Sequence, residues 1–248
     1  MAGHSKWAQI KRKKAVQDAR RGQVFTRLIR EITVAARLGG GDENGNPRLR
    51  KAVAQAKEAN MPAQNIKRAI QRGTGELPGV SYEEAVFEGY GPGGVALIIE
   101  VLTDNRKRTV AFLRHLFSKY GGNLGEPGCV AWMFDKEGRI WVKKNGVDED
   151  SLLECVVEGQ GRDYVEQDDG YEISSSPEVV ESLREHLEKN RFRVEKIEVA
   201  LVPKNSVAVE GENARKLLKL MDELEDYEDI QRFSSNFDVD ESVLMELD

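Results

Sequence analysis

Residues 207–225 read VAVEGENARKLLKLMDELE, and residues 174–188 read SSSPEVVESLREHLE. Each stretch has a short polar or extended lead, then a breaker (Gly211 in one, Pro177 in the other), then a run whose leucines recur at helical spacing. Two such stretches in one chain point to an internal repeat. Around the second stretch, GRIWVKK (138–144) reads as a strand, DEDSLLECVVEG (148–159) as a helix, and DYVEQ and YEISSS as a hairpin across Asp168-Asp169-Gly170. FRVEKIEVALVP (192–203) closes the set as a strand. The order is β-α-β-β-α-β, the ferredoxin-like plan.

Around the first stretch, the same plan needs pieces from both sides of that module. VALIIEVLT (95–103) reads as a buried strand and DNRKRTVAFLRHLFSKYGG (104–122) as a helix capped by Asp104 or Asn105 and ended at Gly121. CVAWMF (129–134) reads as a second strand, and DIQRFSSNFDV (229–239) contains another. With SVAVEG and the helix after it, they complete a second β-α-β-β-α-β set. The alternative to such an insertion is one larger mixed sheet.

The first 76 residues are helical in pattern. Val24, Phe25, Leu28, Ile29, Ile32, Ala35 and Ala36 share one arc of a helix over 18–38, with Arg20, Arg27, Arg30 and Arg37 on the opposite arc and Gly39-Gly40-Gly41 as a stop. Asn46 and Pro47 open a second helix, and a third runs from Pro62 to Gly73. GTGELPGV (73–80) then reads as a linker. The expected fold is therefore α+β: an N-terminal three-helix domain followed by two ferredoxin-like βαββαβ two-layer domains, one inserted in the other. Its expected boundaries are 1–76 for a basic helical domain, 77–134 plus 204–248 for a discontinuous α/β domain, and 135–203 for an inserted acidic α/β domain.

Charge is distributed unevenly. The net formal charge of the 248 residues is -6. Yet residues 1–72 hold 17 Lys or Arg against 5 Asp or Glu, whereas residues 135–248 hold 15 against 31. This asymmetry suits a polyanion-binding module joined to a body that repels polyanions; the other reading is a basic domain docked on its own acidic domain. The opening MAGHSKWAQIKRKKAVQDARRG concentrates the positive charge, with Lys6, Lys11, Arg12, Lys13, Lys14, Arg20 and Arg21 against the single acid Asp18. Trp7 lies among them and is either a base-stacking ring or a core plug. Arg27, Arg48, Arg50, Arg68 and Arg72 extend the candidate nucleic-acid surface along the helices. Arg106, Lys107 and Arg108 add cations in LTDNRKRTV at a helix N-terminus, where the dipole favours anions; the other reading is a solvated turn. The turn EGYGPGGVA offers Gly91, Pro92, Gly93 and Gly94 as a hairpin or as a loop for close backbone approach to a ligand. It lacks the GK[ST] ending of a phosphate-binding P-loop.

Catalytic signatures are missing from the sequence. No HExxH or GxSxG occurs, and His4, His115 and His186 are far apart. Cys129 and Cys155 form no CxxC pair and suit a reducing cytoplasm. The N-terminus has no apolar stretch of the signal-peptide kind, and the apolar runs are too short to span a bilayer. The expectation is a cytoplasmic non-enzyme with no metal, no cofactor, no membrane partner and no small-molecule substrate.

AGHSKWAQIKRKK, FTRLIREITVAARLGG, NPRLRKAVAQAKEANMP, NIKRAIQRGTG, EGYGPGGVA, LTDNRKRTV and GGNLGEPGCVAWMF together resemble the YebC family through residues 2–134. The resemblance implies three domains, one helical and two α/β, with no cofactor and no enzymatic activity. It implies one of two roles: DNA-binding transcriptional regulation, the name the family commonly carries, or translation. In translation, mitochondrial relatives activate synthesis of a cytochrome oxidase subunit, and bacterial relatives help ribosomes through proline-rich stretches. The partner is accordingly DNA, or rRNA and tRNA within the ribosome, and the basic arm serves either. The small, very basic domain on a strongly acidic body favours the ribosomal role on physical grounds.

Overall fold

The structure is a computed structural model that describes residues 17–144, 146–167 and 169–239, without the side chains of residues 17–21. The chain divides into two compact units, one formed up to Trp132 and again from Asn205, the other by Met133–Lys204.

The first unit begins with three helices: α1 (Gln17–Gly39), α2 (Pro47–Glu58) and α3 (Ala63–Thr74). The apolar arc read in the sequence becomes their core. Ile32, Ala35 and Ala36 of α1 pack with Leu49, Ala52, Val53 and Ala56 of α2 and with Ile66 and Ala69 of α3. Val24, grouped with that arc by spacing, is instead exposed. Asn46 caps α2 by accepting from the Leu49 amide at 3.1 Å, and its own amide donates to the carbonyls of Ala35 and Gly40. One side chain thus ends α1 and starts α2. The third helix runs past Gly73 and stops at Gly75, whose φ of 84° is left-handed. Gly73 is needed for packing instead. A Cβ there would lie 2.4 Å from the Thr33 carbonyl, so its bareness lets α3 meet α1.

The same unit continues with β1 (Glu83–Tyr90), β2 (Ala96–Thr103), α4 (Arg106–Lys119) and β3 (Asn123–Leu124). The hairpin partner β1 went unread in the sequence, where acidic positions mask an alternation that buries Ala85 and Phe87. Asn105, of the two candidates, is the cap of α4. The expected strand at CVAWMF does not form. Glu88 reaches across and accepts the amides of Gly128 at 2.7 Å, Val130 at 2.8 Å and Ala131 at 2.8 Å. Those donors are committed to a carboxylate, and the segment turns through a short helical bend at Ala131–Met133. Burial works to raise the Glu88 pKa, and the three amide bonds overcome it and hold the group ionised below the usual range.

After the second unit the chain returns with β8 (Val207–Ala208), α7 (Gly211–Asp226), β9 (Ile230–Ser235) and β10 (Phe237–Asp238). The sheet order is β3-β1-β2-β9, antiparallel throughout. Its position beside β3, which a strictly sequential βαββαβ chain would fill from downstream, is filled by β1 from upstream. A parallel pair, β8 with β10, stands apart. Helices α4 and α7 bury Leu113, Leu116, Phe117, Leu217, Leu220, Met221 and Leu224 on Leu97, Ile99 and Val101 of β2.

The second unit holds β4 (Phe134–Lys143), α5 (Glu149–Glu158), β5 (Asp163–Glu166), β6 (Gly170–Ser175), α6 (Val180–Lys189) and β7 (Val194–Pro203). The strand order β5-β6-β4-β7, all antiparallel, is the ferredoxin-like order read from the sequence. Ile140, Val142 and Ile173 meet Leu152, Val156, Leu183 and Leu187 of the two helices in its core. The α+β architecture, with a helical N-terminal region ahead of sheets and helices, is the one expected.

Candidate nucleic-acid interface

Of the α1 arginines whose side chains are described, Arg30 is buried and Arg27 half-buried, while Arg37 is exposed but engaged by the chain itself. Arg37 donates to the hydroxyl of Ser81 at 2.7 Å and to the Tyr82 carbonyl. Arg30 is buried and donates to Asp229 at 2.5 Å and to the carbonyls of Leu102 and Glu228. Arg27 lies beside Glu225 and Asp226; burial lowers its pKa, and those two acids work against the shift. Arg27 and Arg30 therefore lie on the face by which the bundle docks on the sheet portion of its own unit.

Asp229 is the centre of that docking. Its side chain is 2% exposed. Besides Arg30 it accepts from Arg108 at 3.0 Å, from Thr103 at 3.0 Å and from Thr109 at 2.7 Å. Burial alone would raise the carboxyl pKa; the bonds from Thr109, Arg108, Arg30 and Thr103 outweigh it and bring the pKa down to about 2. The sign of the pH effect follows. Below about pH 4 the unfolded chain takes up a proton that the folded chain refuses until about pH 2. The stability this site contributes, about 2 kcal/mol, is complete above about pH 4 and is lost as the pH falls through about 2. Urea midpoints at pH 5, 3 and 2 should show that loss, and Asp229→Asn should flatten it.

The surface left for a polyanion lies on α2 and α3. Residues 46–75 carry seven Lys or Arg and the single acid Glu58. On α3, Gln64, Lys67, Arg68, Gln71 and Arg72 follow at i, i+3, i+4, i+7 and i+8, opposite the buried Ile66 and Ala69. All but the half-buried Gln71 are exposed, and Gln71 is held by Glu76 at 3.4 Å. Helices α2 and α3 are joined by four residues, among them Asn60 with a left-handed φ of 58°. Two short helices joined by a turn of this length fit the spacing of helix-turn-helix motifs.

The structure sorts the sequence-derived candidates unevenly. Lys6, Trp7, Lys11, Arg12, Lys13 and Lys14 lie outside the described residues, as do the side chains of Arg20 and Arg21. Arg48 is spent on Glu31 at 2.7 Å and Glu84 at 2.6 Å; the bond to Glu31 is the larger cause of its raised pKa. Arg108 is spent on Asp229 and Asp104. Arg50 donates to the carbonyls of Glu43 and Asn44, but its side chain remains on the surface. Arg68 and Arg106 are exposed, Arg106 at 5.7 Å from the Phe87 ring. Gly91 and Pro92 are buried; a Cβ on Gly91 would touch Leu97, Leu217 and Leu220, so the close backbone approach at Gly91 is to the chain's own core. Gly93 and Gly94 are exposed at φ 75° and 78°, values that require glycine. In the sequence, Gln64, Lys67 and Gln71 stand out only as part of QNIKRAIQR, a helix that could serve for recognition, and Lys51 does not stand out. The signal that finds them is the absence of acids over a full helical face. Among the described residues, no cluster of three or more His, Cys, Asp or Glu could hold a metal, and no helix is long and apolar enough to cross a membrane.

Comparison with known proteins agrees along the whole chain. The family described as "TACO1/YebC protein N-terminal domain" matches residues 5–76, and "TACO1/YebC second and third domain" matches residues 82–237. A "Probable transcriptional regulatory protein" of Dictyoglomus turgidum is 51% identical over 248 residues, 100% of each chain. A relative of the same description from Geobacter sulfurreducens is 53% identical over 239 residues, 96% of each. The crystal structure of a conserved hypothetical protein from Aquifex aeolicus superposes with a TM-score of 0.83 at 46% identity, covering 95% of this chain and 98% of that one.

Proposed function

The chain belongs to the TACO1/YebC family, and from that premise we propose that it is a non-enzymatic, cytoplasmic regulator of gene expression that binds nucleic acid, with the α2–α3 surface and the basic arm as its contacts. The observation that carries this reading is the exposed face of α3, with Lys67, Arg68 and Arg72 and no acid among residues 59–75. Such a face neutralises phosphates and releases their counterions. Duplex DNA is the first partner to consider: the relatives carry the description "Probable transcriptional regulatory protein", and Gln64 stands beside Lys67 and Arg68, side chains able to read base edges. Ribosomal RNA is the second. The 31 acids of residues 135–248 favour a partner that is met from one side only.

Equilibrium binding of the full chain to promoter duplexes, random duplexes and rRNA fragments tests the proposal. At 100 mM salt, a promoter-to-random affinity ratio well above one supports the DNA reading. A ratio near one with tighter rRNA binding supports the ribosomal reading. Absence of binding to all three overturns both.

A further inference from the structure

Helix α4 concentrates charge more sharply than any neighbouring segment. Residues 73–134 hold five Lys or Arg, all in α4, and none of the segment's seven acids lies in it. Three of the five are engaged: Arg108 with Asp229 and Asp104, Lys119 with Glu223 at 2.6 Å, and Arg106 over the Phe87 ring. Lys107 and Arg114 are exposed and have no partner among the described residues. Lys107 sits in the first turn, where the helix dipole disfavours a cation, and no acid offsets it as Asp104 offsets Arg108.

Lys107, Ala111, Arg114 and Ser118 follow at i, i+4, i+7 and i+11, all exposed. The two cations are thus about 10 Å apart along the axis, with a methyl group between them. Two cations so separated on one exposed face can meet separate phosphates of a strand, and the small residue lets a backbone lie close to the helix.

We propose that this face of α4 is a second phosphate-backbone contact, distinct from α3, in which Lys107 and Arg114 neutralise phosphates of the same nucleic acid. The inference rests on the nucleic-acid reading above.

The test compares three full-length proteins by fluorescence anisotropy on a 30-base-pair DNA duplex and on an RNA hairpin of equal stem length, from 50 to 300 mM KCl. The proteins are the parent, Lys107→Ala/Arg114→Ala and Lys67→Ala/Arg68→Ala. The expected result is that the α4 variant keeps the parental thermal midpoint and lowers the slope of log K against log salt by about 2 on the duplex that binds. If the parent binds and the α4 variant matches it in affinity and slope, the inference is overturned and the α3 reading stands or falls on its own variant. If the parent binds neither probe, the proposed function is overturned and the inference with it. A loss seen only on the RNA hairpin assigns the contact to RNA.

Discussion

Replacing Asp229 with alanine is expected to cost about 3–5 kcal/mol, the range for breaking a buried ion pair by removing one partner. The side chains of Asp229 and Arg30 are 2% and 9% exposed. The substitution leaves the Arg30 guanidinium inside the protein with the carbonyls of Leu102 and Glu228, the solvent-facing carboxylate of Glu228 at 3.3 Å and the Tyr82 ring at 5.4 Å, and no buried carboxylate. It also strips an acceptor from the hydroxyls of Thr103 and Thr109, both fully buried. Asp229→Asn, which keeps an acceptor but loses the charge, should fall between parent and alanine. Because Arg30 ties α1 to the end of β2, amide hydrogen exchange should rise first in α1. A loss below about 1 kcal/mol would mean that the bundle is held to the sheet by its apolar contacts alone.

Lys67→Ala/Arg68→Ala/Arg72→Ala is expected to weaken duplex binding by about 10²-fold at 100 mM salt. If each cation meets a phosphate, the triple substitution removes three contacts, and the salt slope should fall by about 2.7. Stability should hardly move: all three positions are exposed, and alanine is a better helix former than any of them. Anisotropy titrations across salt, with thermal melts of the same samples, check both halves. Unchanged binding with an unchanged melt would take α3 out of the interface.

Arg27, Arg30, Arg48 and Arg108 show where reading by residue type stops. In sequence they are cations among cations on a basic domain or a basic turn, and most naturally face a polyanion. In the fold, each has an acid from the chain itself: Arg27 lies beside Glu225, Arg30 meets Asp229 across 199 residues, Arg108 meets it across 121, and Arg48 meets Glu84 across 36. Intramolecular docking and polyanion binding draw on the same residue types, so composition cannot divide them. Lys67 and Arg114 are the reverse case, unremarkable in sequence and left open by the fold.

What the sequence by itself determined is local or periodic. The apolar arc of α1, the Asn46–Pro47 start of α2, a cap for α4 at Asp104 or Asn105, and the βαββαβ order of residues 135–203 all follow from side chains within a few turns of one another. Tertiary structure alone decided what depends on distant partners. Glu88 turned CVAWMF from a strand into a bend by taking its amides from 40 or more residues away. Gly73 became a helix contact instead of a helix end because Thr33 lies against it. The physical reason is common to these cases. A hydrogen-bond donor or a charge is satisfied by whichever partner the packed chain brings within about 3 Å, and period and propensity carry no information about that partner.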